Sequence, residues 1–152
     1  MTERPVGLTR DAGWQIGVSR TFPIDLETAW KVLNSQKGLG LWLGEDVPSP
    51  LTKGARYRTE NGTSGEVRSV RPLDRMRLTW QPEGRAAPAI VQVVVAQSPR
   101  GCSMRFHTDH LASKDEREAM RTHWREVLDR LDSALAQDLP AARTADGPAR
   151  IP

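Results

Sequence analysis

The stretch SKDEREAMRTHWREVLDRLDSAL, Ser113 to Leu135, decides the fold. Ser113 followed three residues later by Glu116 is a capping box, in which each side chain satisfies a backbone N–H at a helix start. Behind it, Met120, Trp124, Val127, Leu128, Leu131 and Leu135 recur at three- and four-residue spacing and so share one face. Arg117, Glu118, Arg121, Arg125, Glu126 and Arg130 fall mostly elsewhere. A helix of this length is a rod of roughly 35 Å. It has to bury its apolar side against something broad, and the strands that precede it are the only candidate.

Those strands are read from period-two alternation and from their breakers. Residues 1–12 are expected to be a flexible leader. Trp14, Ile16 and Val18 share one side of a first strand that Pro23 ends. Asp25 caps a short helix carrying Leu26, Ala29, Trp30 and Leu33. Gly38 and Gly40 are expected to break it, and the apolar turn Leu39-Leu41-Trp42-Leu43 follows. Beyond Pro48 and Pro50, Asn61-Gly62 predicts a two-residue type I′ hairpin. Arg75–Gln81 alternates Met76, Leu78 and Trp80 against Arg75, Arg77 and Thr79. The loop 82–88 is polar and predicted to be mobile. Ala89–Gln97 puts Val91, Val93 and Val95 on one face, and Met104 and Phe106 share a face of the last strand. Residues 137–152, rich in Ala, Pro and Arg, are predicted to form a disordered tail. The result is one domain over residues 13–136: an antiparallel meander with one long helix across it, an α+β two-layer fold.

Composition agrees. The chain has 152 residues, 38% hydrophobic and 27% charged, as expected of a soluble globular domain large enough for a core. No apolar run reaches the ~18 residues of a membrane span. The N-terminus lacks the basic-then-apolar order of a secretory signal, and the single cysteine, Cys102, allows no intrachain disulfide. The expected location is therefore cytoplasmic, and Asn61-Gly62-Thr63 reads as a turn rather than a glycosylation site. Net charge is +3, yet Lys53 to Arg77 carries seven basic residues against three acidic ones.

The ordered pieces resemble a known family over residues 14–136. They are Ser19-Arg20-Thr21 ahead of the helix Pro23 to Trp30, Leu41-Trp42-Leu43, Lys53-Gly54-Ala55-Arg56-Tyr57, and Gly65-Glu66-Val67. Leu78-Thr79-Trp80, Phe106-His107-Thr108 and Trp124 to Leu131 complete the set. Together they resemble the START-like (SRPBCC) superfamily, in the branch named after the activator of the heat-shock-protein-90 ATPase, in its short bacterial form. The resemblance implies a helix-grip fold, a curved antiparallel sheet around the long C-terminal helix with two short helices after the first strand. It also implies one fold with many uses, from lipid carriage to cyclisation and co-chaperone activity. With 152 residues, the chain is not expected to carry the additional amino-terminal domain of the full co-chaperone.

Chemistry-bearing residues are few. His107 and His110, three apart on a strand, point to opposite faces, whereas His107 and Asp109 share one. Neither CxxC nor HExxH spacing occurs, so no metal site is predicted, and no phosphate loop or nucleophile elbow calls for a cofactor. His123 lies beside Trp124 on the long helix. Cys102 reads as a small buried hydrophobe. Five tryptophans against one tyrosine and two phenylalanines are an unusual balance. They serve either as core packing or as an aromatic lining.

The main reading is a module that binds an apolar or aromatic small molecule between sheet and helix. Its lining would be Val18, Trp30, Trp42, Tyr57, Leu78, Trp80, Val93, Met104, Phe106, Met120 and Trp124. The second is a chaperone- or stress-associated interaction domain, meeting an acidic protein through Arg56, Arg58, Arg68, Arg75 and Arg77 on the outer face. The same arginines read equally as a solvated surface, and without interleaved aromatics nucleic acid is not the expected partner. The third is a cyclase- or dehydratase-type enzyme, for which His107, Asp109 and His123 are the available acid–base groups.

Overall fold

The computed structural model describes residues 8–9 and 13–137. Seven strands form one sheet: β1 (Leu8–Thr9), β2 (Gly13–Phe22), β3 (Arg56–Arg58), β4 (Ser64–Arg71), β5 (Arg75–Trp80), β6 (Ala89–Ser98) and β7 (Gly101–Leu111). The helices are α1 (Leu26–Leu33), α2 (Gln36–Trp42) and α3 (Lys114–Gln137). The spatial order is β1-β2-β7-β6-β5-β4-β3, every pair antiparallel. The last five strands thus run as the expected meander, and β2 returns to pair with β7. The curved sheet holds α3 across its concave side, a helix-grip α+β fold. Of the leader, Leu8–Thr9 form β1 against Gly13 and Trp14. The rest of that segment and the tail beyond Gln137 lie outside the described residues.

Alternation divides the sheet as the strand patterns require. Val67, Met76, Leu78, Val91, Val93, Met104 and Phe106 are buried under α3. Trp124, fully buried, stacks on Phe106 at 4.8 Å and 15°, and its indole N–H donates to Thr108 Oγ1 at 2.8 Å. Arg20 of β2 reaches the same helix, donating to the Leu128 carbonyl (3.2 Å) and to Asp129 (2.6 Å).

Three local expectations are corrected. Gly38 and Gly40 do not break a helix; they lie inside α2, and the break falls at Asn34–Ser35, where Ser35 Oγ accepts the Gly38 N–H at 2.9 Å. A Cβ on Gly38 would sit 1.7 Å from the Val32 carbonyl oxygen, so this glycine lets α2 turn tightly off α1. Asn61-Gly62 is not a two-residue hairpin either. Arg58 pairs with Ser64, leaving a five-residue loop in which only Gly62 has positive φ. Thr59 closes it, its N–H donating to the Thr63 carbonyl (2.7 Å) and its hydroxyl accepting the Thr63 N–H (3.1 Å). A side-chain-capped loop satisfies the backbone that a I′ turn would otherwise satisfy.

The loop 82–88, expected to be mobile, is pinned. Arg85 makes a fork to Glu116, 2.7 Å from Nε and 2.9 Å from Nη2, and also donates to the carbonyls of Ala87 and His110. Glu116 in turn accepts the Ala112 N–H at 2.7 Å, while its own N–H donates to Ser113 Oγ at 3.1 Å. The capping box therefore forms with its carboxylate reaching one residue beyond the cap and fastening a loop as well.

The Arg85 hydrogen bond holds the Glu116 carboxyl below its usual range. Its contribution is therefore present above the unfolded value of about 4.3 and lost as pH falls through the lower folded value. Glu116→Gln is expected to cost about 1–2 kcal/mol near neutrality. In urea denaturation of both proteins, that gap should narrow in acid below pH ~4.3.

Candidate functional site

Of the eleven positions expected to line an interior, eight belong to one core cluster and three pack against it. Trp42, Tyr57, Leu78, Val93, Met104, Phe106, Met120 and Trp124 are buried, and Val18, Trp30 and Trp80 are half-buried at its margin. Within it the rings form a row. Half-exposed Trp80 meets His123 at 6.4 Å, and His123 meets Trp124 edge-on at 4.7 Å. Trp124 stacks on Phe106, and Phe106 meets Trp42 at 5.7 Å. The row runs between sheet and α3 from the surface into the core.

The buried polar tips of the interior are occupied. Trp42 Nε1 donates to the Leu33 carbonyl at 2.9 Å, and the Tyr57 hydroxyl to the Thr79 carbonyl at 2.5 Å. Burial pushes the Tyr57 phenol upward. Burial, then Arg130, depress the His123 imidazole, with Glu126 opposing, so the ring beside Trp124 is neutral at physiological pH. What the row offers is ring faces. Five grooves of about 270–410 Å³ are described on the surface, and the residues lining them include none of the eleven.

Of the three acid–base candidates, His123 is on this row, and His107 and Asp109 are not among its rings. His107 Nε2 lies 2.9 Å from Gln15 Oε1 on the outer face. Asp109 pairs instead with its neighbour, Oδ1 lying 2.6 Å from His110 Nδ1. His107 and Asp109 keep one face in the regular β6 register, but a bulge just beyond them, where register passes from Trp14↔Leu111 to Ile16↔Thr108 and His110 takes φ 62°, turns His110 onto the Asp109 carboxylate. Among the described residues no three His, Cys, Asp or Glu side chains gather to hold a metal. Cys102 is buried on the Met104 side of β7, and burial raises its thiol. No helix among the described residues is long and apolar enough to cross a membrane.

The arginine expectation survives in geometry. Arg56, Arg58, Arg68 and Arg77 are exposed and Arg75 half-exposed, all on the face away from α3; a bulge at Val67–Ser69 sets Arg68 outside the regular pairing. Sequence reading missed a second basic group. Arg117 is 8% exposed and donates from Nε to the Gln15 carbonyl at 2.8 Å. The signal was available: Arg117 stands three before Met120 and seven before Trp124, on the apolar stripe itself.

Comparison with solved structures returns this fold. DynU16, from the dynemicin biosynthetic locus, superposes with a TM-score of 0.73 at 19% identity, over 82% of this chain and 48% of its own. This chain thus spans about half the length of DynU16. CalU16 from Micromonospora echinospora gives 0.71 at 16% identity, over 90% and 87% of the two chains. The Aha1 dimer from Colwellia psychrerythraea gives 0.64 at 19%, over 80% and 95%. No curated protein matches the sequence. The model of the family described as "Activator of Hsp90 ATPase homolog 1-like protein" matches residues 23–136, and the chain belongs to that family.

Proposed function

We propose that this domain binds an apolar or aromatic small molecule between the sheet and α3, against the ring row that runs inward from Trp80. The carrying observation is that row: five aromatic rings in successive contact, beginning half-exposed at Trp80 and His123 and ending buried at Trp42. Because the buried Trp42, Trp124 and Tyr57 tips are already hydrogen-bonded to protein, the inner rings recognise a ligand by stacking and apolar contact rather than by polar pairing. Neutral His123 at the outer end fits the same chemistry. Entry requires the Trp80–His123 contact to part and α3 to tilt outward, so the ligand replaces packing that closes the empty domain. The family, with ligand-binding and some cyclase-like members, supports the class of activity.

Titrating the protein with lipids and aromatic metabolites while following tryptophan emission should give a saturable quench or shift for at least one compound. Trp80→Ala should weaken it about tenfold, for the loss of one stacking surface. The absence of any saturable response across the panel would sink the proposal.

The outer face supports a second reading, an acidic protein partner on Arg56, Arg58, Arg68, Arg75 and Arg77, as in a chaperone- or stress-associated interaction domain. Its observation is that five guanidiniums on three adjacent strands face away from the core while only Arg68 meets a carboxylate, Glu66 at 3.7 Å, among the described residues. Reversing charge at Arg58 and Arg77 together should abolish capture of such a partner from extract; unchanged capture removes this reading.

A further inference from the structure

We propose that the groove where α3 crosses the free edge of β2 binds a phosphate monoester. β1 pairs only with Gly13 and Trp14 of β2, so from Gln15 onward that edge has no strand partner among the described residues. The groove there, about 410 Å³, is lined by Gln15, Ile16, Gly17, Arg105, His107, Arg117 and Arg121. Three guanidiniums and an imidazole thus converge on it from β7 and α3.

Its charge is unbalanced. Glu118 bonds Arg117 Nη1 at 2.7 Å and lies 3.2 Å from Arg121 Nε, so one half-exposed carboxylate serves two guanidiniums. Arg121 Nε is itself buried without a hydrogen bond, and Arg105 has no carboxylate partner among the described residues. The buried Arg117 guanidinium is matched by that one carboxylate, which it shares with Arg121. Gly17 builds the floor. A Cβ there would lie 2.6 Å from Arg105 Cζ, so only a glycine lets the exposed Arg105 side chain pass this close over the β2 backbone. Three cations against one carboxylate match a dianion better than a carboxylate ligand. Planar guanidinium forks suit the several oxygens of a phosphate.

His107 reports occupancy. Burial first, then Arg105 and Arg77, hold its imidazole below the usual range, with Asp109 opposing. Its Nε2 meets Gln15. A bound dianion favours the protonated ring and so moves this titration upward.

The test is NMR titration of the full chain with phenyl phosphate, inorganic phosphate and acetate, reading the His107 ring and the backbone amides. Phosphate monoester should bind tighter than acetate and raise the His107 titration midpoint. Arg121→Gln should weaken it about tenfold by removing one charged hydrogen-bonding group. Gly17→Val should weaken it comparably by lifting Arg105 while keeping every charge. Arg121 is a third exposed, so its variant decides the matter if Gly17→Val does not fold. Phosphatidic-acid vesicles in place of phenyl phosphate separate a lipid headgroup from a soluble monoester, co-sedimentation marking the lipid. Unchanged affinity in Arg121→Gln, acetate binding as tightly as phosphate, or an unmoved His107 titration overturns the proposal.

Discussion

Trp124 is the contact on which the two layers of this protein depend. It is fully buried, lies flat against Phe106, and gives its one polar hydrogen to Thr108 Oγ1. Removing a side chain of this size from a core typically costs about 3–5 kcal/mol, a large part of the stability of a small domain. Two arginines of opposite direction hold the ends of the same crossing: Arg20 reaches from β2 to Leu128 and Asp129, and Arg117 reaches from α3 to Gln15. With α3 fixed on β2 and β7, alternation assigns every later strand an inner apolar face and an outer polar one.

That division separates two chemistries in a small domain. The inner face is apolar, with the Trp42, Tyr57 and Trp124 tips bonded to protein. The outer face and the β2 edge carry guanidiniums with few carboxylates between them. A ligand recognised inside would be bound by area and shape, and one recognised at the edge by charge. The two proposed sites share α3, which presents Trp124 inward and Arg121 at its flank.

The fold was legible because its signals are periodic and redundant. Six apolar residues at helical spacing place α3, and strict alternation through Val91, Val93 and Val95 places β6. The misreadings fall where one residue's preference was overruled by a partner remote in sequence. Gly38 signals a break by propensity but serves close helix packing against Val32. Asn61-Gly62 signals a tight turn, yet Thr59 closes a longer one. A polar loop was fastened by Arg85 to Glu116, 31 residues away. His107 and Asp109 do share a face, as alternation requires, but the bulge beyond Asp109 turns His110 onto its carboxylate, which alternation alone could not foretell. Arg117 shows the same limit: its position on the apolar stripe was readable, but what it would meet, the Gln15 carbonyl 102 residues away, was not.

The central claim is that the ring row between sheet and α3 is where a ligand is recognised. The most direct measurement is the ¹H–¹⁵N spectrum of the five indole N–H groups, recorded with and without a hydrophobic aromatic probe such as 1-naphthol. Binding on the row should shift the Trp80, Trp124 and Trp42 indoles saturably and leave Trp14 unmoved. Shifts confined to Trp14 and Trp30, or none at saturating probe, would contradict it.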